Sequence, residues 1–169
     1  MRKADMATYV AFLRGINVGG NKIVKMDDLK KAFESMGFKN VKTILASGNV
    51  LFEGRERELT KKIEDKLEKA FGFPIPVIVR SFDSLLAISK SEPFKGVKVS
   101  ADTRLFVTFI EKPKVFTKDP RIIRMTGSEL FAVLDLSEKT VDYMAYLDRN
   151  FGMNTTRNWN TIGKILSSR

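Results

Sequence analysis

The sequence contains no histidine and no cysteine in 169 residues. Without histidine there is no Ser-His or Cys-His pair, and no imidazole to shuttle protons near neutral pH. Without cysteine there is no thiolate nucleophile, no disulfide, no iron–sulfur cluster and no zinc site built on sulfur. Any metal would be a hard ion held by oxygen, and any catalytic base a carboxylate, Lys or Tyr. No oxygen-ligand motif of the EF-hand kind is present, so the residues call for neither metal nor cofactor. Long hydrophobic runs are missing too. After the polar start Met1–Met6, the apolar stretch reaches Arg14 within eight residues. That is too short to span a bilayer and reads as a strand, not a signal sequence. No membrane role is expected, and the cytoplasm is the expected location.

What is present is ordinary soluble composition, 43% hydrophobic and 30% charged, with a marked basic excess. Thirty Lys and Arg face twenty Asp and Glu, for a net charge of +10. The excess is even: 16 basic against 11 acidic groups in residues 1–85, and 14 against 9 in residues 86–169, so each half carries +5. There is no charged tail. A basic globule favours anionic partners such as nucleic acid or phosphorylated molecules. The length suits one domain, or two halves sharing a core.

Residues 8–14 form a continuous apolar run rich in β-formers, which predicts a buried strand. The glycine-rich stretch 15–25 reads as a loop. From Asp27, the residues Leu29, Phe33 and Met36 follow a helical period, with acids at the helix start and Gly37-Phe38 at its end. Val41–Ala46 and Val50–Phe52 predict a hairpin around Ser47-Gly48-Asn49. Leu59, Ile63, Leu67 and Phe71 mark a second helix, closed by Gly72-Phe73, and Ile75–Arg80 is the next strand. The order β-α-β-β-α-β is the split βαβ, or ferredoxin-like, arrangement.

The second half reads as an incomplete copy. It has a short helix at Phe82–Ser89, a connector over 90–103, and a strong strand at Arg104–Ile110. A hairpin across Gly127-Ser128 joins 121–125 to 129–136. A helix over Val141–Phe151 ends at Gly152-Met153, and Trp159, Ile162, Ile165 and Leu166 give a last amphipathic helix. The expected fold is therefore α+β with two ferredoxin-like subdomains, the second degenerate. Residues 1–81 form the first and 82–169 the second, packed as one compact unit.

Three polar patches carry what chemistry the chain offers. The first is Arg14-Gly15-Ile16-Asn17-Val18-Gly19-Gly20-Asn21-Lys22, after the first strand. Glycines let backbone amides turn toward an anion, and Arg and Lys add charge-assisted donors. Neither a P-loop nor a dinucleotide fingerprint is present. The second patch is Ser47-Gly48-Asn49, which alone would be a turn. In a split βαβ sheet the end of the first strand and the tip of the following hairpin share an edge, so the two patches are expected to face each other. The third is Thr155-Thr156-Arg157-Asn158-Trp159-Asn160-Thr161, where Asn and Thr could cap the last helix and Trp159 could be core. A basic connector, Lys112, Lys114, Lys118, Arg121 and Arg124 against Asp119, reads as a solvated charge run.

The three patches, with their order and spacing, resemble the bacterial Domain of Unknown Function 1697 family. The matching residues are Phe12-Leu13-Arg14-Gly15-Ile16-Asn17-Val18-Gly19-Gly20, then Leu45 and Ser47-Gly48-Asn49-Val50, then Thr156-Arg157-Asn158-Trp159-Asn160-Thr161. The resemblance covers nearly the whole chain, more loosely over 90–150. It implies an α+β fold of two ferredoxin-like subdomains and brings no catalytic residues with it. Where the family pattern has Gln before Ser-Gly-Asn, this chain has Ala46, so any ligand contact made by that Gln in relatives is missing here.

Three functional readings follow. The first is binding of an anionic, phosphorylated small molecule or nucleotide by Arg14, Gly15, Asn17, Gly19, Gly20, Lys22, Ser47, Gly48 and Asn49, completed by Thr156, Arg157, Asn158, Trp159 and Asn160. The second is nucleic-acid binding by a basic α+β protein. Apolar residues on both faces of Tyr9–Leu13 argue against the open aromatic sheet this needs. The third is a structural or regulatory protein whose patches only hold the two halves together, with Arg157 and the two Asn bonding backbone in the seam between them. Asp27, Asp28 and Glu53 lie near the expected edge, but their spacing fits helix-start acids as well as a catalytic pair.

Overall fold

A computed structural model describes residues 5–55, 57–112, 118–135, 137 and 140–169, with Val141 by its backbone alone. Two compact units emerge. One comprises the chain up to Ala87 together with Lys164–Arg169, and the other comprises Ile88–Gly163. The chain is mixed α+β, with a four-stranded antiparallel sheet in each unit. Among the described residues, no helix is long and apolar enough to cross a membrane.

In the first unit, β1 (Ala7–Leu13) leads through a loop to α1 (Met26–Ser35). The hairpin β2 (Lys39–Ile44) and β3 (Asn49–Gly54), then α2 (Leu59–Phe71) and β4 (Val77–Ser81), complete it. The sheet order β2-β3-β1-β4 is that of the split βαβ arrangement. The double-sided apolar pattern of β1 has the outcome it predicts: Val10, Ala11, Phe12 and Leu13 are all fully buried. Ala11 and Leu13 pack with Leu29, Phe33, Ile63 and Leu67 of the two helices. Phe33, Phe38 and Phe52 meet in that core with ring centroids 4.5–6.1 Å apart. Phe38 thus turns back from the end of α1 into the core, as its place after Gly37 predicts. Each such ring removes enough apolar surface from water to contribute roughly 1.5–3 kcal/mol.

The second unit repeats the sheet. Its strands are β5 (Thr103–Ile110), β6 (Ile122–Met125), β7 (Glu129–Asp135) and β8 (Asn154–Asn158), in the order β6-β7-β5-β8. Substituting β5, β6, β7 and β8 for β1, β2, β3 and β4 gives the first sheet's order. The helix α4 (Thr140–Phe151) lies between β7 and β8 in sequence, and the described residues between β5 and β6 contain no helix. The second copy is degenerate in that way. Two more helices, α3 (Phe82–Lys90) and α5 (Trp159–Ser167), contain the points where the chain passes between units.

Sequence patterning missed β8 because Asn154-Thr155-Thr156-Arg157-Asn158 has no apolar residue. Its two adjacent Thr residues are the only β-forming signal it carries. Of the basic connector, Lys112, Lys118 and Arg124 are exposed, as a solvated run predicts, and Arg121 is the exception. Arg121 donates from Nε (2.9 Å) and NH2 (2.6 Å) to the two oxygens of Asp119, which holds that carboxyl below its usual range. The same guanidinium lies 5.0 Å from the Tyr143 ring centroid and 5.6 Å from that of Tyr146. Lys114 lies outside the described residues.

Tyr143 is fully buried on α4 in the core of this unit, and its hydroxyl has no hydrogen-bond partner among the described residues. Burial pushes its pKa up to about 12 from an ordinary value of 10. Because the folded value is the higher, its contribution to stability is present below pH 10 and is lost as pH rises through 12. A shift of that size corresponds to roughly 2–3 kcal/mol. Tyr143→Phe is expected to leave stability at pH 7 unchanged or raised by up to about 1 kcal/mol, and to flatten the alkaline loss of stability. Urea titrations at pH 7 and across pH 10–12 check both; an unchanged alkaline limb contradicts the assignment.

Candidate functional site

The first two polar patches do come together in the first unit. The backbone of Leu13 donates to Gly48 O at 2.9 Å, and Arg14 N donates to Pro76 O at 2.9 Å, so β1 is held on both sides where the loop begins. Asn17 then ties the loop in two directions. Its Nδ2 donates to Val24 O (3.0 Å) and Ala46 O (2.9 Å), and its Oδ1 accepts from Val24 N (2.8 Å). One side chain therefore closes the loop on itself and fastens it to the β2–β3 turn.

The segment beyond Asn17 is a small hairpin. Asn17 N donates to Lys22 O at 3.1 Å and Asn21 N to Val18 O at 3.0 Å. Gly19 and Gly20 both have positive φ, 58° and 75°, as a type I′ turn requires at its two central residues. The glycine pair thus shapes a tight protruding turn. Gly15, Gly19, Gly20, Asn21 and Lys22 are exposed and Arg14 is half-buried.

Gly48 and Asn49 face inward. A Cβ at Gly48 would stand 2.8 Å from Ile16 Cδ1 and 2.9 Å from Leu13 Cβ, at a φ of 92° that other residues rarely adopt. Asn49 is fully buried, and its Nδ2 donates to Ile44 O (2.7 Å) and Ser47 Oγ (3.1 Å). Asn17, Gly48 and Asn49 therefore build the edge, while Arg14, Gly15, Gly19, Gly20, Lys22 and Ser47 offer it to solvent. Sequence reading missed an apolar component: Val18, Ile23 and Leu45 are 66%, 65% and 45% exposed. Leu45 also holds a φ of 62°, a strained conformation for a leucine.

The third patch belongs to the second unit and divides by strand alternation. Thr156 pairs with Thr108 across β5 and β8, their hydroxyls 2.7 Å apart. Arg157 faces the other way and is 7% exposed; its NH1 donates to Thr155 Oγ1 (2.7 Å) and Thr156 O (3.0 Å). Burial pulls its guanidinium down to about 10, which leaves it protonated at neutral pH. Trp159 is half-buried, edge-on to Phe94 and Phe131 at centroid distances of 5.3 and 6.0 Å. Asn158 Oδ1 accepts from Asn160 N at 2.9 Å and caps α5. Asn160 itself is exposed.

Asn158 and Asn160 have a second association that sequence reading missed. With Val99, Thr103, Arg104 and Leu105 they line a cavity of about 170 Å³. Arg104 stands two residues before Phe106, the partner of Asn158, a proximity that appears only once β8 pairs with β5. Among the described residues no cluster of three or more acidic side chains is placed to hold a metal ion.

The sequence pattern of the family described as "Protein of unknown function (DUF1697)" matches residues 6–131. The chain belongs to that family. A conserved bacterial protein from Streptococcus pneumoniae is similar in structure, with a TM-score of 0.67 at 21% identity, covering 97% of this chain and 99% of that one. That likeness shows the shared fold. An unknown protein from Galdieria sulphuraria is 14% identical over 91% of this chain and 99% of that one, with a TM-score of 0.29, too low to bear on the argument. No curated protein matches. In this DUF1697 chain the first two of the resembling motifs are the two halves of one hydrogen-bonded edge.

Two substitutions test that edge. Asn17→Ala removes three hydrogen bonds and leaves backbone groups of Val24 and Ala46 without them, an expected cost of roughly 2–3 kcal/mol. Gly48→Ala adds a methyl group against Leu13 and Ile16 at positive φ, with an expected cost of roughly 2–4 kcal/mol. Urea denaturation measures both. A loss below about 0.5 kcal/mol, the range of an indifferent surface change, contradicts the structural role assigned to that residue.

Proposed function

We propose that this protein binds an anionic, phosphorylated small molecule or nucleotide at the edge formed by the β1–α1 loop and the β2–β3 turn. The observation that carries the reading is the Asn17 tie, which holds Gly15, Gly19, Gly20, Lys22 and Ser47 on one fixed, outward-facing frame. A frame ordered before binding avoids part of the entropy lost when a ligand orders a loop. The chemistry of the edge suits an anion. Residues 14–26 and 42–52 contain Arg14, Lys22, Lys25 and Lys42 and no acidic residue. Turn amides and cationic side chains are the donors that phosphate oxygens accept from. Val18, Ile23 and Leu45 add apolar surface suited to the uncharged part of such a ligand, a base or an acyl group.

The alternative that the patches only maintain the fold accounts for Asn17, Gly48, Asn49 and Arg157. It leaves the exposed Gly19-Gly20 turn, Lys22 and the strained Leu45 without a purpose. Nucleic-acid binding through an aromatic sheet surface is less favoured, because Phe12, Phe52, Phe109 and Phe131 are at most 1% exposed. The same reading takes the protein as bacterial and cytoplasmic, with a phosphorylated metabolite as its partner.

Thermal shift against a panel of nucleotides and sugar phosphates tests it. A ligand at one hundred times its Kd adds about 2.7 kcal/mol, equivalent to roughly 5–10 °C for a protein of this size. Lys22→Glu is expected to weaken the responding ligand about tenfold or more, a difference of about 1.4 kcal/mol. If no member of the panel raises the melting temperature, or Lys22→Glu responds as the wild type does, the proposal fails.

A further inference from the structure

The cavity in the second unit has donors that find no partner among the described residues. Arg104 is anchored from one side: NH1 donates to Ala101 O at 2.9 Å and to Thr103 O at 3.0 Å. Its Nε and NH2 donate to no described residue. That remaining edge of the guanidinium is a two-donor fork, the geometry that meets two oxygens of one oxyanion. The carbonyl bonds fix the plane of the fork before any ligand arrives.

The two asparagines extend the same chemistry. Asn158 uses its Oδ1 to cap α5, and its Nδ2 has no partner among the described residues. The Asn160 side chain has no hydrogen bond among the described residues. The Thr103 hydroxyl is already engaged, accepting from Ser100 N at 3.0 Å and sharing a hydrogen bond with Ser100 Oγ at 3.3 Å. No carboxylate is among the lining residues, and Leu105 and Val99, the latter 63% exposed, give the cavity an apolar side. One cation and two amides therefore converge with a small apolar surface on about 170 Å³. That is smaller than the pockets of roughly 300–1,000 Å³ that take drug-sized ligands.

We infer that this cavity binds a phosphate monoester carrying a small apolar group. The phosphate accepts from the Nε–NH2 fork of Arg104 and from the side-chain amides of Asn158 and Asn160, and the apolar group lies against Leu105 and Val99. The site shares no residue with the loop edge of the first unit and stands independently of the function proposed there.

The test is a titration of the whole, isotope-labelled chain with inorganic phosphate and with phenyl phosphate, followed by the side-chain amide signals of Asn158 and Asn160. Both probes are expected to move these signals, and phenyl phosphate is expected to bind at least about threefold more tightly, because only it reaches the apolar side. Asn160→Asp is the decisive variant. Its side chain is exposed, and an acid is favourable in the first turn of a helix, so the fold is kept while an anion is repelled. Followed through Asn158, affinity for both probes is expected to fall about tenfold or more. Lys61→Gln, which changes the net charge by the same amount in the first unit, is expected to leave it unchanged. The inference is overturned if neither asparagine signal moves with either probe, if inorganic phosphate binds as tightly as phenyl phosphate, or if Asn160→Asp and Lys61→Gln weaken binding equally.

Discussion

The three hydrogen bonds of the Asn17 side chain are what the loop edge of the first unit depends on. A stretch with three glycines between Arg14 and Lys22 would otherwise lose much conformational freedom on being ordered. Asn17 supplies that order locally. It places the return of the loop at Val24, next to the start of α1, and fastens the loop to the carbonyl of Ala46 in the following hairpin. Gly48 completes the arrangement from the other side, since only a residue without Cβ lets the turn approach Leu13 and Ile16 so closely. The exposed donors of the edge are fixed because the buried groups behind them are fully engaged.

The second unit reaches the same sheet order with different chemistry. Where β4 of the first unit has Val77, Ile78 and Val79, β8 has Thr155, Thr156 and Arg157 in the corresponding edge position of its sheet. Polar residues at low exposure have to be hydrogen-bonded, and several contacts here have that form: Thr108 with Thr156, Arg157 with Thr155, and Asn154 with Asp148. This is also why the last polar motif divides. Alternation sends Thr156 to one face and Arg157 to the other, while Asn158, the last residue of β8, and Asn160 in α5 line the cavity beside Arg104.

The sequence made the apolar part of this plain. Val10–Leu13 read as a doubly buried strand and are one, and the pairing of a helix-ending glycine with Phe38 put that ring correctly in the core. The facing of the first two patches followed from split βαβ topology, and the Gly48–Leu13 contact has that form. Three things were not legible, each for a physical reason. β8 has no apolar residue, so hydrophobic periodicity could not report it. The engagement of Asn17 and Asn49 with backbone depends on where the loop returns, which composition does not encode, so residues that build the edge read the same as residues that display it. The Arg104 cavity joins a strand start to a helix start more than fifty residues away, and becomes visible only once β8 is known to pair with β5. The exclusions drawn from missing His and Cys concern chemistry, not folding, and they leave recognition by Arg, Lys, Asn and backbone amides as the mode both proposed sites use.

Amide hydrogen exchange across the β1–α1 loop measures the central claim, that the edge is fixed before any ligand binds, most directly. Val24 N, which donates to the Asn17 side chain, and Asn21 N, which closes the Gly19-Gly20 turn, are expected to exchange well below the rate of an unstructured chain in the free protein. Protection at both is expected to collapse in Asn17→Ala, while that of Val10 and Phe12 in the middle of β1 persists. Exchange of Val24 and Asn21 at the unstructured rate in the wild type would mean that the loop is mobile, and would contradict the account.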